Sequence, residues 1–255
     1  GIRRMAERAA RIIGLDCVGV DALATDISLP LNQSGLKVVE VNAAPGFRMH
    51  LEPTNGQPRN VAKPLLDMLF PEGYAPIPVL AVTGTNGKTT TCRLLAHTLK
   101  YSGKIVGLAC TTGIVIDRNS ILTGDYSGPE GAGIVVREPT VDHIVLEVAR
   151  GGIVRRGLGV DEVDVGVLLN IGSDHMGTDW IESQEDLSLV KSTVLEVVKK
   201  SGTSVLNADD SVTMSVLDRA RGNIILFSMD PNNPKLKEHV KDGGTVVTVD
   251  KRIII

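Results

Sequence analysis

The chain has 255 residues, 42% hydrophobic and 22% charged, enough length and apolar content to bury a core in one large domain or two smaller ones. Its 27 basic residues against 30 acidic ones give a formal charge of −3 with no basic block, which argues against a nucleic acid or an anionic membrane surface as partner. No apolar stretch approaches the roughly 20 residues of a membrane span. Cys17, Cys92 and Cys110 are scattered and spaced neither as metal ligands nor as a redox pair, so the expectation is reduced thiols in a cytoplasmic protein.

In chain order, "GIRRMAERAARIIG" carries an apolar stripe (Ile2, Met5, Ala9, Ile12, Ile13) and reads as an amphipathic helix; Glu7 and the missing initial Met argue against a transit peptide. Two β-rich runs, "LDCVGVDAL" and "LKVVEV", flank the turn-forming "SLPLNQSG" and predict a hairpin in an α+β piece. The loop "NAAPGFRMH" and the helix "VAKPLLDMLF" follow, then "PEGYAPIP", whose proline-rich, extended chemistry marks a linker. The expected boundary separates residues 1–74 from residues 75–255.

Beyond the linker, apolar β-branched runs alternate with helical patterns. The runs are "PVLAVT", "KIVGLAC", "HIVLEVA", "VDVGVLLNI", "TSVLN" and "NIILF"; helices are expected after Lys88, from about Gln184 to Lys200, and over "SVTMSVLDRA". Strands that are apolar almost throughout belong to parallel sheets covered on both faces, so the fold class is α/β with a doubly wound, mostly parallel sheet. Ligands in such sheets bind beyond the carboxyl ends of the strands. The chain stops at the strand-like "VTVDKRIII" with no turn signal, and both ends read as cut through domains.

The stretch "TGTNGKTT" (residues 83–90) lies where a buried strand turns into a helix. A glycine-rich turn there lets backbone N–H groups face a phosphate chain, with Lys88 and the Thr89 hydroxyl beside a phosphate-bound metal. It departs from the general G-x-x-x-x-G-K-[ST] spacing, since Val82 stands five before Gly87 and the first glycine is Gly84. Downstream, Glu147 ends one strand, and Asn170, Asp174 and His175 end another. Glu147 and His175 suit a second hard cation or, equally, two satisfied buried polar groups. Lys191 interrupts an apolar helical stripe, where snorkelling is the simpler reading; Asn207 follows a strand, placed to meet adenine or to cap the next helix.

Taken in order, "GTNGKTT", "LEVARGGI", "NIGSDHMG", a further lysine and "LNADD" resemble the central ATPase domain of the Mur ligase family. Members phosphorylate a carboxylate with ATP and let an amine displace the phosphate. The resemblance implies that Gly84, Thr85, Asn86, Gly87, Lys88, Thr89 and Thr90 bind the phosphates, and that Thr89 and Glu147 hold one Mg²⁺. Glu147 with His175 would serve a second, Lys191 would match a lysine carbamylated in many members, and Asn207 would meet adenine. The catalytic set implied is Lys88, Glu147, His175 and Lys191.

The first segment is similar to the end of an ATP-grasp domain: "VGVDALATD" and "LKVVEVNAAPGFRMH" match its E-x-N-x-x-P-G pattern. That implies Mg²⁺ ligands Asp21, Glu40 and Asn42, with Gly46, Phe47 and Arg48 near the acceptor. The fusion of the two, with "GDYSGPEGA" and "EVARGGIVRRGLG" inside the second, resembles the cyanophycin synthetase family. The implied activity is ATP- and Mg²⁺-dependent amide formation. The ATP-grasp part would add aspartate and the Mur-like part arginine to a cyanophycin-like peptide primer, in a homo-oligomer whose C-terminal lid domain lies beyond this chain. Arg150, Arg155 and Arg156 would contact the acidic polymer or form a solvated basic loop. Two alternatives stay open: a Mur or folylpolyglutamate-type ligase, disfavoured by "EVNAAPG" and Thr89, and a nucleotide-binding module without ligase activity.

Overall fold

The computed structural model describes residues 1–73, 76–172, 181–250 and 253–254, which form two compact units, Gly1–Ala75 and Pro76–Ile255. In the first unit the amphipathic stripe forms α1 (Ile2–Ile13), which ends at Gly14 in the left-handed conformation that glycine adopts without steric cost. The expected hairpin is present: β1 (Gly19–Leu23) pairs antiparallel with β2 (Lys37–Asn42), with a register shift between Asp21 and Ala22. The segment read as a loop contains a helical turn, α2 (Arg48–Leu51), and α3 (Ala62–Leu69) follows.

The second unit opens with β3 (Val79–Thr83), α4 (Lys88–Tyr101), β4 (Val106–Cys110), β5 (Gly113–Ile116), β6 (Asn119–Thr123) and α5 (Pro129–Val136). It continues through β7 (His143–Glu147), α6 (Arg150–Arg156), β8 (Val163–Leu168), α7 (Gln184–Glu196), β9 (Val198–Asn207) and α8 (Ser211–Met214). After a 3₁₀ turn at Leu217–Arg219 come β10 (Asn223–Ser228), α9 (Pro234–Lys241), β11 (Thr245–Asp250) and β12 (Ile253–Ile254). Among the described residues the strands form one sheet in the order β12-β11-β10-β9-β8-β3-β7-β4-β5-β6. All pairings from β11 to β4 are parallel; the β4-β5-β6 edge and β12 are antiparallel.

The pattern of burial explains why these strands are apolar throughout. Ala81, Ile144 and Leu146 face one side, packing with Ala132 and Val135 of α5 and Val194 of α7. Their neighbours Val82, Val145 and Val167 face the other, against Cys92 and Ala96 of α4. A third cluster joins Leu168, Leu206 and Leu226 to Leu187, Leu195 and Leu236. Two covered faces leave no solvent side for alternation to mark. The sheet is locked at its entry by Asp164, which accepts from Val79 N–H at 2.9 Å and pairs with Lys199 Nζ at 2.8 Å.

Two helices end earlier than the sequence pattern implies. The helix expected to reach Lys200 stops at Glu196, because β-branched Val198 pairs with Val163 and begins β9. The pattern over "SVTMSVLDRA" breaks into α8 and the 3₁₀ turn, with Val216 between them buried in the third cluster. Among the described residues no helix is long and apolar enough to cross a membrane.

Leu146 is 2% exposed at the centre of the sheet. Leu146→Ala is expected to lower unfolding free energy by about 2–5 kcal/mol, read as a reduced urea midpoint at unchanged slope.

Candidate functional site

Strand β3 lies between β7 and β8, the point where the strand order reverses and a crevice opens at the carboxyl ends. The loop from Gly84 to Gly87 leaves β3 there and enters α4. Gly84 has φ 154, and a Cβ on it would lie 3.0 Å from Leu169 Cβ and 3.3 Å from Asn170 N. Gly87, with φ 86, caps α4 in a left-handed conformation. Both glycines are therefore required by backbone geometry.

Asn170 pins this loop. Its side-chain Oδ1 accepts from Thr85 N–H (3.1 Å) and Asn86 N–H (2.8 Å), its Nδ2 donates to Asn86 O (3.1 Å), and its backbone O accepts from Thr85 N–H at 2.9 Å. Gly172 N–H donates to Thr85 Oγ1 at 2.8 Å. Asp210 accepts from Ile171 N–H at 2.6 Å through one oxygen and caps α8 through the other. Sequence reading placed Asn170 only at a strand end, without seeing that its amide copies a peptide group and satisfies the loop.

Lys88, the first residue of α4, donates to Thr85 O at 2.9 Å. Lys191 does not snorkel: it is 4% exposed and its Nζ donates to Gly84 O at 2.8 Å. Burial, reinforced by the positive charges of Lys88 and Arg150, pulls its pKa down to about 7. A substantial neutral fraction at neutral pH follows.

Glu147 ends β7 at 3% exposure. Thr89 Oγ1 lies 3.1 and 3.0 Å from its two oxygens, Thr111 Oγ1 donates at 2.6 Å, and Thr111 N–H donates at 3.0 Å. Thr111, just past β4, escaped the sequence reading; its signal was the same strand-end position that drew attention to Glu147. Beneath it, burial pushes the Cys92 thiol up, with Glu147 and Cys110 adding to the rise and Lys88 opposing it.

These groups share a cavity of about 750 Å³, lined by residues 84–90, Thr111, Glu147 and Lys191 and extended by Asp125, Ser127 and α6. Lys88, Thr89, Glu147 and Lys191 are thus brought together. Asn207 is not in the lining: its Nδ2 donates to Leu169 O (2.9 Å) and its Oδ1 accepts from Asp209 N–H (2.9 Å). Nor does it cap the next helix, since Asp210 does so. His175 and Asp174 lie outside the described residues. In the other unit, Asp21 pairs across the hairpin with Glu40, and Asn42 Nδ2 donates to Asp21 Oδ2 at 3.2 Å.

Among the described residues no three His, Cys, Asp or Glu side chains form a metal-holding group. The Glu147 carboxylate with the Thr89 and Thr111 hydroxyls nevertheless makes an oxygen-only donor set, which fits a hard divalent cation completed by phosphate oxygens or water.

The fold and the crevice define a doubly wound α/β domain with a glycine-rich loop at its switch point. The Mur ligase middle domain model matches residues 82–254, and the chain belongs to that family. It is 51% identical to a cyanophycin synthetase from Synechocystis sp. over 94% of its own length and 28% of that protein's. A cyanophycin synthetase from Crocosphaera subtropica is 46% identical over 98% of this chain and 29% of its own length. The chain thus spans under a third of these curated relatives, and the resemblance to the cyanophycin synthetase and Mur ligase families read from its motifs is borne out. Among solved structures, a UDP-N-acetylmuramoyl-L-alanyl-D-glutamate–2,6-diaminopimelate ligase matches with a TM-score of 0.52 at 24% identity, over 67% of this chain and 35% of that one, a likeness of fold.

Lys191 carries a pH signature. Its folded pKa of about 7 lies below the unfolded value of roughly 10.4, so between these pH values the unfolded chain holds more protons and stability from this group rises with pH. Below pH about 7 its destabilising effect is complete. Wild type is expected to gain a few kcal/mol relative to Lys191→Gln between pH 7 and about 10, measured by urea unfolding.

Proposed function

We propose that this chain is part of an ATP-dependent carboxylate–amine ligase of cyanophycin synthetase type, with the Pro76–Ile255 unit binding the nucleotide for arginine addition. The observation that carries this reading is the convergence of Thr89 and Thr111 on the buried Glu147 carboxylate in the same cavity as Lys88 and Lys191.

With the Thr85 and Asn86 N–H groups engaged by Asn170, the N–H groups at the start of α4, Lys88 and Thr90 would meet the phosphates. The N-terminus of α4 contributes about half a unit charge, so the full charge of Lys88 dominates the protein's share. Thr89, Thr111 and Glu147 would hold Mg²⁺, with His175 and Glu147 serving a second ion. Bound there, Mg²⁺ supplies charge neutralisation on the transferring phosphoryl group and orients it.

An acceptor carboxylate oxygen attacks the γ-phosphorus and the bond to ADP breaks. The amine of arginine then attacks the resulting acyl carbon, phosphate departs with the C–O electron pair, and the nitrogen loses its proton as the amide forms. Lys88, released from Thr85 O, follows the charge that develops on the phosphoryl oxygens. Lys191, anchored on Gly84 O, serves either as a cation or, in its neutral form, as the amine that takes up CO₂ to become a carbamate. Asn207 is assigned to adenine by the family pattern alone.

In the first unit, Asp21, Glu40 and Asn42 would hold the Mg²⁺ of an ATP-grasp site that adds aspartate to the backbone, with Gly46, Phe47 and Arg48 near the acceptor. Asp21 and Glu40 are cross-strand partners, and Asn42 lies two residues along the strand on the face of Glu40, which supports a shared role.

The test supplies the native polypeptide with ATP, Mg²⁺, a β-aspartyl-arginine primer, aspartate and arginine. Phosphate release is expected to require arginine once the primer ends in aspartate. Lys88→Ala is expected to cut that release about 100-fold or more while aspartate addition survives. Release indifferent to every amino acid would contradict the reading, and stimulation by a muramyl precursor or a folate would move the substrate to the other ligases.

A further inference from the structure

Asp125, Ser127 and Gly128, between β6 and α5, line the cavity but belong neither to the phosphate loop nor to the Glu147 cluster. The charged groups of the lining are Lys88, Lys191, the three arginines of α6, Glu147 and Asp125. The two carboxylates differ in kind. Glu147 is buried, and both of its oxygens meet threonine hydroxyls. Asp125 is exposed and accepts through Oδ1, from Ser127 N–H at 3.0 Å and from Ser127 Oγ at 2.6 Å. Among the described residues no hydrogen bond or ion pair engages its Oδ2, although arginines line the same cavity.

The segment that carries Asp125 is held in place. Tyr126 N–H donates to Cys110 O at 3.1 Å, and Ala149 N–H donates to Ser127 O at 2.9 Å. These bonds tie it to the end of β4, next to Thr111, and to the residue that precedes α6, two past Glu147. A Cβ on Gly152 would lie 3.0 Å from Gly128 Cα, so α6 packs closely on the same segment. The side-chain turn itself is a local device, since Asp26 and Ser28 make the same one on exposed residues of the other unit. What sets Asp125 apart is a fixed place in the wall of a cavity that is otherwise mostly cationic.

We infer that the Asp125 carboxylate recognises a guanidinium group of the substrate and gives the cavity its preference for an arginine-bearing ligand. This rests on the ligase reading above and deepens it by naming a residue that selects the cationic partner. A negative charge in a cavity that takes phosphates and a reacting carboxylate opposes those ligands unless a cation of the substrate meets it. A carboxylate offers about four acceptor sites; Ser127 uses two of them at Oδ1, and the rest remain for donors that the ligand brings. Guanidinium N–H groups supply such donors, and their charge-assisted bonds are about twice as strong as neutral ones. The backbone anchors and Ser127 hold the carboxylate before the ligand arrives, so little freedom is lost on binding. The guanidinium comes from the incoming arginine or from an arginine side chain already on the primer, and the recognition chemistry is the same.

The test titrates two pairs of ligands by calorimetry into the native polypeptide and its D125N and D125E variants, with Mg²⁺ and a non-hydrolysable ATP analogue present. One pair is free arginine and citrulline, its uncharged counterpart; the other is a β-aspartyl-arginine primer ending in aspartate and the same primer carrying citrulline. D125N keeps an oxygen for Ser127 and removes the charge from an exposed side chain, so it is expected to fold as the wild type does. The wild type should prefer the guanidinium ligand about tenfold or more in at least one pair, D125N should lose that preference, and D125E should keep part of it. Loss in the first pair assigns the group to the incoming amino acid, and loss in the second assigns it to the primer. Affinity for the ATP analogue should stay within about twofold in D125N, with and without Mg²⁺. No preference in the wild type, an undiminished preference in D125N, or an equal loss of nucleotide affinity would overturn the inference, and arginine-dependent phosphate release would still stand for the ligase reading. A preference lost in D125N by a protein whose phosphate release ignores arginine would uphold the guanidinium site and defeat the ligase reading instead.

Discussion

A carboxylate buried at the end of a parallel strand must be satisfied, and Glu147 organises the crevice by being so. Left alone in that position its charge would cost several kcal/mol. Two threonine hydroxyls and one backbone N–H, from α4 and from the residue after β4, meet it. That requirement ties three elements to one point, the end of α4 that carries Lys88 among them. The same contacts gather the carboxylate and two hydroxyl oxygens at one point, the donor set that a hard cation requires.

The sheet makes this convergence possible. With β7 on one side of β3 and β8 on the other, the chain must leave the sheet in opposite directions from neighbouring strand ends, and a gap opens between them. Asn170, past β8, bonds to the loop on one side of that gap, while Glu147, the last residue of β7, stands on the other. Lys191 reaches the same loop from α7 and is buried beside Lys88 and Arg150, a placement in which a fixed positive charge is strained. A group that gives up its proton near neutrality, or that is converted into an anion, would relieve that strain.

Much of this was legible in the sequence, for identifiable reasons. Apolar runs with turn signals between them gave the parallel strands, and the two glycines, Lys88 and Thr89 gave the loop, because few arrangements of those residue types suit anything but an anion. Residues whose role is set by partners far along the chain were not legible. Asn170 pins a loop 84 positions earlier, and Thr111 meets a carboxylate 36 positions later; a strand-end position marks each of them but does not name the partner. The β5–β6 hairpin was missed because it turns through Asp117 at φ 51 followed by Arg118, where an Asn-Gly or Asp-Gly pair would have announced it. Lys191 interrupts an apolar stripe, a pattern that snorkelling explains as simply as a buried role does, and only packing shows it buried. The helix that ran on to Lys200 in sequence was cut short by pairing with β8, a tertiary preference that outweighs local propensity.

The central claim is that the Glu147 carboxylate couples a divalent cation to a nucleotide held by the loop. The most direct measurement is calorimetric titration of ATP with and without Mg²⁺ into the wild type and Glu147→Gln. The account predicts that Mg²⁺ strengthens ATP binding about tenfold or more in the wild type, and that the variant loses this increment while keeping its Mg²⁺-free affinity. Equal strengthening by Mg²⁺ in both proteins would contradict it.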